Sequence, residues 1–116
     1  MSEPVPSRGP STEQQERFYK PIAEELLTLT PQAWKSVRLT LTLSAGEDGP
    51  DAFGMTHEIA SPDGHRDIVM PSDTLFDLTF KLFSLFRDAG TPWKQMTLDL
   101  RELLNGDWNF NCRFAY

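Results

Sequence analysis

Cysteine is nearly missing from this sequence. Cys112 stands alone, so no internal disulfide can form and no cysteine-based zinc site can be assembled. Long apolar runs are missing too: nothing approaches the roughly 18 consecutive apolar residues that a membrane-spanning helix requires. Residues 1–10 lack an apolar segment and any periodicity. Ser, Pro and Gly dominate them, so they read as a flexible leader rather than a secretory signal. The rest, residues 11–116, is expected to form a single domain in the cytoplasm. Signatures of catalysis are also scarce. There is no phosphate loop, no glycine-rich dinucleotide fingerprint, no His-Glu-x-x-His, and no serine in a nucleophile-elbow context. No cofactor and no metal are therefore expected.

What is present describes a folded chain. An apolar fraction of 39% with 11% aromatic residues is enough to build one hydrophobic core and too much for a disordered chain. The net charge of −6 has a location. Between Gly46 and Asp77, Arg66 alone faces Glu47, Asp48, Asp51, Glu58, Asp63, Asp67, Asp73 and Asp77, and the flanking thirds are close to neutral. Such a chain repels nucleic acid, whose phosphates attract Lys and Arg. It suits a basic protein surface, approached under electrostatic steering.

Periodicity gives the elements. Ser11 and Thr12 before Glu13, Gln14 and Gln15 open a helix in capping-box style. Phe18, Tyr19, Ile22, Ala23, Leu26, Leu27 and Leu29 continue it at helical spacing. Pro21 falls on the polar side, where it predicts a kink or a restart, and Thr30-Pro31 ends the helix. Val37, Leu39, Leu41 and Leu43 alternate with polar residues as a strand, followed by a turn over 46–50. Phe53, Met55, His57 and Ile59 alternate as a second strand. Asp63-Gly64 then predicts a two-residue hairpin turn that sets Ile59 opposite Ile68 and His57 opposite Met70, giving a third strand over 66–70.

Ser72 is placed to cap a second helix running to about Asp88. Its apolar residues, Leu75, Phe76, Leu78, Phe80, Leu82, Phe83, Leu85 and Phe86, cover well over half the circumference, against the ~100° stripe that packing on one sheet needs. The surplus must be covered by the first helix, a partner chain or a second copy of this chain. Segments 93–100 and 108–116 form a final hairpin. A two-residue Asn105-Gly106 turn would pair Arg101 with Phe110. A three-residue loop, Leu104-Asn105-Gly106 with Gly106 left-handed, pairs Leu100 with Phe110 and matches the apolar faces. Cys112 shares the parity of Trp108, Phe110 and Phe114, the place of a buried, inert thiol. The expected fold is therefore α+β in two layers, in the order α-β-β-β-α-β-β. An antiparallel sheet of about five strands would carry two helices on one face.

Candidate chemistry is thin. Asp63, His65 and Asp67, with His57 and Glu58 across the expected hairpin, are the one metal-like grouping, and turn chemistry plus solvation accounts for them. His57, between Met55 and Ile59 on an inward face, reads as a hydrogen-bonded core histidine.

One pattern is more specific. Trp93 followed by Met96-Thr97-Leu98-Asp99-Leu100, then Asn105-Gly106, Phe110 and Phe114-Ala115-Tyr116, resembles the YezG-like family of bacterial immunity proteins. The opening helix from Phe18-Tyr19 to Leu29, then Pro31 and Trp34, and the Phe-rich helix ending Leu85-Phe86-Arg87 are similar to the same family. The likeness thus spans about 18–116. It implies an antitoxin without catalysis that binds a cognate polymorphic toxin, expected to be a basic nuclease, and occludes its active surface. The physics of the chain nominates the contact residues: Glu47, Asp48, Asp51, Glu58, Asp63, Asp67, Asp73 and Asp77 for charge, and Phe76 and Phe80 as apolar anchors or a homodimer face. Two other classes stay open. One is a secretion chaperone; the other is a small ligand-binding or enzymatic domain around Glu58, His65 and Asp67.

Overall fold

The computed structural model describes residues 12–45 and 53–116. The expected leader, the turn over 46–50, and the candidate residues Glu47, Asp48 and Asp51 lie outside the described residues. The elements run α1 (Thr12–Leu29), β1 (Ser36–Ala45), β2 (Phe53–Ala60), α2 (Asp73–Asp88), β3 (Gln95–Glu102) and β4 (Trp108–Ala115).

Helix α1 buries Tyr19, Ile22 and Leu26 at helical spacing. It passes Pro21 without a break, so the restart expected there does not occur. Thr30 closes it: its amide and its hydroxyl both donate to the Leu26 carbonyl, and Pro31 cannot continue the ladder. Helix α2 begins as expected. The Ser72 hydroxyl accepts from the Leu75 amide at 3.1 Å, and Asp73 complements the positive end of the dipole. It ends where Gly90 takes φ +83°, with Thr91 N–H donating to Phe86 O and Gly90 N–H to Arg87 O, a Schellman closure followed by Pro92.

The four strands form one antiparallel sheet in the order β2-β1-β3-β4. Strict alternation puts Val37, Leu39 and Leu41 of β1 and Met96, Leu98 and Leu100 of β3 on one face, and all six are essentially fully buried. At roughly 1.5–3 kcal/mol per fully buried side chain, these central strands hold most of the apolar stabilisation of the sheet. Both helices cover this face. Thr79 of α2 reaches His57 on β2, Phe86 reaches Phe114 on β4, and Tyr19 of α1 meets Phe110. Trp93 is wedged between Phe83 at 5.0 Å and Phe114 at 5.9 Å. The other face is polar, and Asp99 there receives Arg38 at 2.6 Å and Arg113 at 3.2 Å from the two flanking strands.

The final hairpin has the register that apolar matching demanded. Leu100 pairs with Phe110, Leu103 N–H donates to Asp107 O across the loop, and Gly106 takes φ +88°.

The expected third strand does not form, so the sheet has four strands and the order is α-β-β-α-β-β. The cause lies in the turn. Gly64 N–H donates to Ser61 O, which puts Pro62 at the first central position with its φ fixed negative, and Asp63 also keeps negative φ. A two-residue hairpin turn would need Asp63 to be left-handed. The chain therefore leaves β2 instead of folding back on it, and the pairings Ile59 with Ile68 and His57 with Met70 do not occur. Residues 61–72 become a strap held by side chains. Ser36 Oγ donates to Asp63 at 2.7 Å, Trp34 Nε1 donates to Asp67 at 3.0 Å, and Ser72 Oγ donates to Glu25 at 2.8 Å. His65 stacks on Trp34 with the planes 12° apart.

Candidate functional site

Helix α2 turns Leu75, Thr79, Leu82, Phe83 and Phe86 into the core. Asp73, Phe76, Asp77 and Phe80 follow at i, i+3, i+4 and i+7, so they share a different stripe of the helix. Phe76 is 42% exposed and Phe80 52%, and both aspartates are exposed. The apolar surplus read from the helix is thus partly open to solvent. Leaving each ring half covered forgoes roughly 1 kcal/mol of burial. Asp77 accepts from Lys81 at 2.9 Å, a solvated i,i+4 pair worth only about 0.3–0.5 kcal/mol and easily exchanged.

The sheet edge fixes where this stripe sits. Phe76 packs edge-on against His57 of β2, with ring centroids 4.5 Å apart. Thr79 donates its hydroxyl proton to the Leu75 and Phe76 carbonyls, so its oxygen accepts from His57 Nε2–H at 2.7 Å. Nδ1 of His57 is buried without a partner among the described residues. Burial holds the His57 pKa below its ordinary value, and the Met55 backbone opposes that only in part. His57 is thus a neutral packing group, with a threonine and a phenylalanine as its neighbours rather than a carboxylate.

The remaining candidates divide by location. Glu58 lies on the polar face of the sheet, paired across from Thr40, away from the helices. Asp63 and Asp67 are exposed but pin the strap to Ser36 and Trp34. The hairpin that would have set His57 and Glu58 across from His65 and Asp67 is not formed. Among the described residues, no three His, Cys, Asp or Glu side chains converge in a way that could hold a metal ion. Burial pushes the Cys112 thiol up to about 12, which keeps it protonated and unreactive. Tyr19 is raised as well, again chiefly by burial.

Sequence reasoning misses two exposed residues. The expected third strand would turn Ile68 and Met70 inward; they are 89% and 71% exposed, and Val69 between them packs on the core. The available signal is the run Ile68-Val69-Met70-Pro71, three apolar residues without alternation stopped by a proline. With Phe76 and Phe80 they make four large exposed apolar side chains within thirteen residues of chain.

Among the described residues, no helix is long and apolar enough to cross a membrane. No protein-family model matches the chain, and no curated protein matches it significantly.

Proposed function

We propose that this chain is a cytoplasmic immunity protein that captures a cognate polymorphic toxin, a basic nuclease domain, and blocks its active surface. The observation that carries the reading is the α2 stripe, where exposed Phe76 and Phe80 alternate with Asp73 and Asp77. A nuclease holds phosphates with Lys and Arg, and these are the groups Asp73 and Asp77 suit. Charge alone speeds encounter. Slow release needs a desolvated aromatic anchor, which the two rings supply. The likeness of 18–116 to YezG-like immunity proteins points the same way, as does the concentration of carboxylates between Gly46 and Asp77.

The test pairs the chain with the toxin domain encoded beside its gene, reading growth on co-expression and nuclease activity in vitro. Phe76→Ala with Phe80→Ala is expected to weaken capture by roughly 2 kcal/mol or more, about 30-fold, and to abolish rescue. Asp73→Asn with Asp77→Asn is expected to slow association, most visibly in dilute salt. Capture that is indifferent to all four changes would overturn the reading. Capture without inhibition would instead assign a secretion chaperone.

A further inference from the structure

A different part of the molecule carries a second site. Where α1 ends, a cavity of about 350 Å³ opens between Leu27 and Thr30 of the helix end, Trp34, Lys35, and Glu102 and Trp108 of the C-terminal hairpin. A second cavity of about 300 Å³ shares Lys35 and Glu102 and is walled by Leu103 and Leu104. The two make one trough that crosses the Lys35–Glu102 ion pair. None of these residues belongs to the α2 stripe.

The chemistry of the walls selects a cation. Glu102 is the carboxylate of the site and is fixed on β3. The last turn of α1 has no basic residue, so the partial negative charge of its carbonyl end is not neutralised from within the helix. Trp34 closes the floor from the core, buried and stacked on His65, while the half-buried Trp108 supplies an indole ring whose face attracts cations. The site already holds one: Lys35 Nζ lies 3.2 Å from Glu102 Oε2, on a side chain that is 66% exposed. Exposed pairs of this kind are weak and exchange readily, so the lysine is a replaceable occupant.

The rim points to a protein as the source. Leu104 is fully exposed and Leu103 nearly half exposed, yet the turn that carries them is ordered by its own hydrogen bonds. Leu103 N–H donates to Asp107 O, Gly106 N–H to Leu103 O, and Asp107 N–H to Asn105 Oδ1. Two leucines held outward on a rigid turn beside a cation-selective cavity fit the apolar surroundings of a charged side chain on another protein's surface. Among cationic side chains, arginine fits better than lysine. A planar guanidinium makes two parallel hydrogen bonds to a carboxylate and stacks on indole, neither of which an ammonium can do.

We propose that this trough receives an arginine side chain of a partner protein, with the guanidinium against Trp108 and paired to Glu102 in place of Lys35. The proposal stands apart from the α2 reading, and its test needs no toxin.

The full chain, labelled with nitrogen-15, is titrated with N-acetyl-arginine methylamide while the tryptophan indole N–H resonances are followed. The expected result is a saturable shift of Trp108, with Trp34 and Trp93 in the core unmoved. The citrulline analogue, equal in shape but uncharged, should leave all three in place. Glu102→Gln is expected to weaken binding by about fivefold. Lys35→Met is expected to tighten it by about twofold, because the internal competitor is gone. That gain would not arise if Lys35 and Glu102 served structure alone. Shifts without saturation, equal binding of citrulline, or weakening by Lys35→Met would each overturn the proposal. A dimer in solution that Leu104→Asn dissociates, with indoles indifferent to arginine, would give this face to a second copy of the chain and overturn it as well.

Discussion

The segment after β2 and the segment between β3 and β4 each turn on a glycine with positive φ, Gly64 at +93° and Gly106 at +88°, but they are secured by different forces. The β3–β4 hairpin is held by a continuous ladder from Gln95↔Ala115 to Glu102↔Trp108, with Leu98 and Leu100 sealed beneath the helices. The 61–72 strap has no ladder. It hangs from three side-chain hydrogen bonds and one ring stack, with Val69 its contact to the core. One glycine turn therefore closes a paired structure, and the other releases the chain to cross the domain. The residues beyond each turn decide the outcome: Asn109 to Phe114 alternates, and Arg66 to Pro71 does not.

Substitutions can test that contrast. The largest loss is expected in the hairpin, where Leu98→Ala should cost about 2–5 kcal/mol in urea unfolding, because a fully buried leucine leaves a cavity behind. The matching change on the strap, Val69→Ala, removes a partly buried side chain and should cost under about 1.5 kcal/mol. Equal losses would end the distinction. Next comes Asp67→Ala, which leaves the buried Trp34 indole N–H without its acceptor and should cost about 1–3 kcal/mol. Amide exchange should then quicken over 65–70 while β3 and β4 stay protected. If protection fell throughout the sheet, the strap would belong to the core. Gly64→Ala and Gly106→Ala should each cost about 1 kcal/mol. The added methyl group meets open space at both positions, so the penalty comes from the left-handed backbone alone.

The smallest effect is expected from His57, which faces Thr79 and Phe76 of α2. Its folded pKa lies below the unfolded value near 6.5. The unfolded chain therefore binds more protons below that pH, and the stability His57 contributes is present above about pH 6.5 and falls as the solution is acidified. His57→Gln should flatten the difference in urea midpoint between pH 7.5 and pH 5.5 relative to the parent chain. An unchanged difference would show that His57 does not titrate on unfolding.

Much of this architecture was legible residue by residue. The parity of β1 and β2, the Ser72 cap, the end of α2 and the Leu100↔Phe110 register all arise from patterns that act within a few residues. The candidate site was less so. Asp73, Phe76, Asp77 and Phe80 fall on one stripe by spacing alone, but the width of the apolar arc could not say which aromatic rings the sheet would leave uncovered. Asp63 read as a turn residue and Asp67 as solvated charge because their partners, Ser36 and Trp34, are 27 and 33 residues away.

The sequence by itself determined the two helices, four of the strands and the side each strand turns inward, because hydrophobic periodicity and capping are local. Only the tertiary structure decided where 61–72 travels, which phenylalanines of α2 stay in water, and that Trp34, Glu102 and Trp108 meet around a cavity. Those outcomes depend on surfaces assembled from distant segments, which no short window of the chain contains.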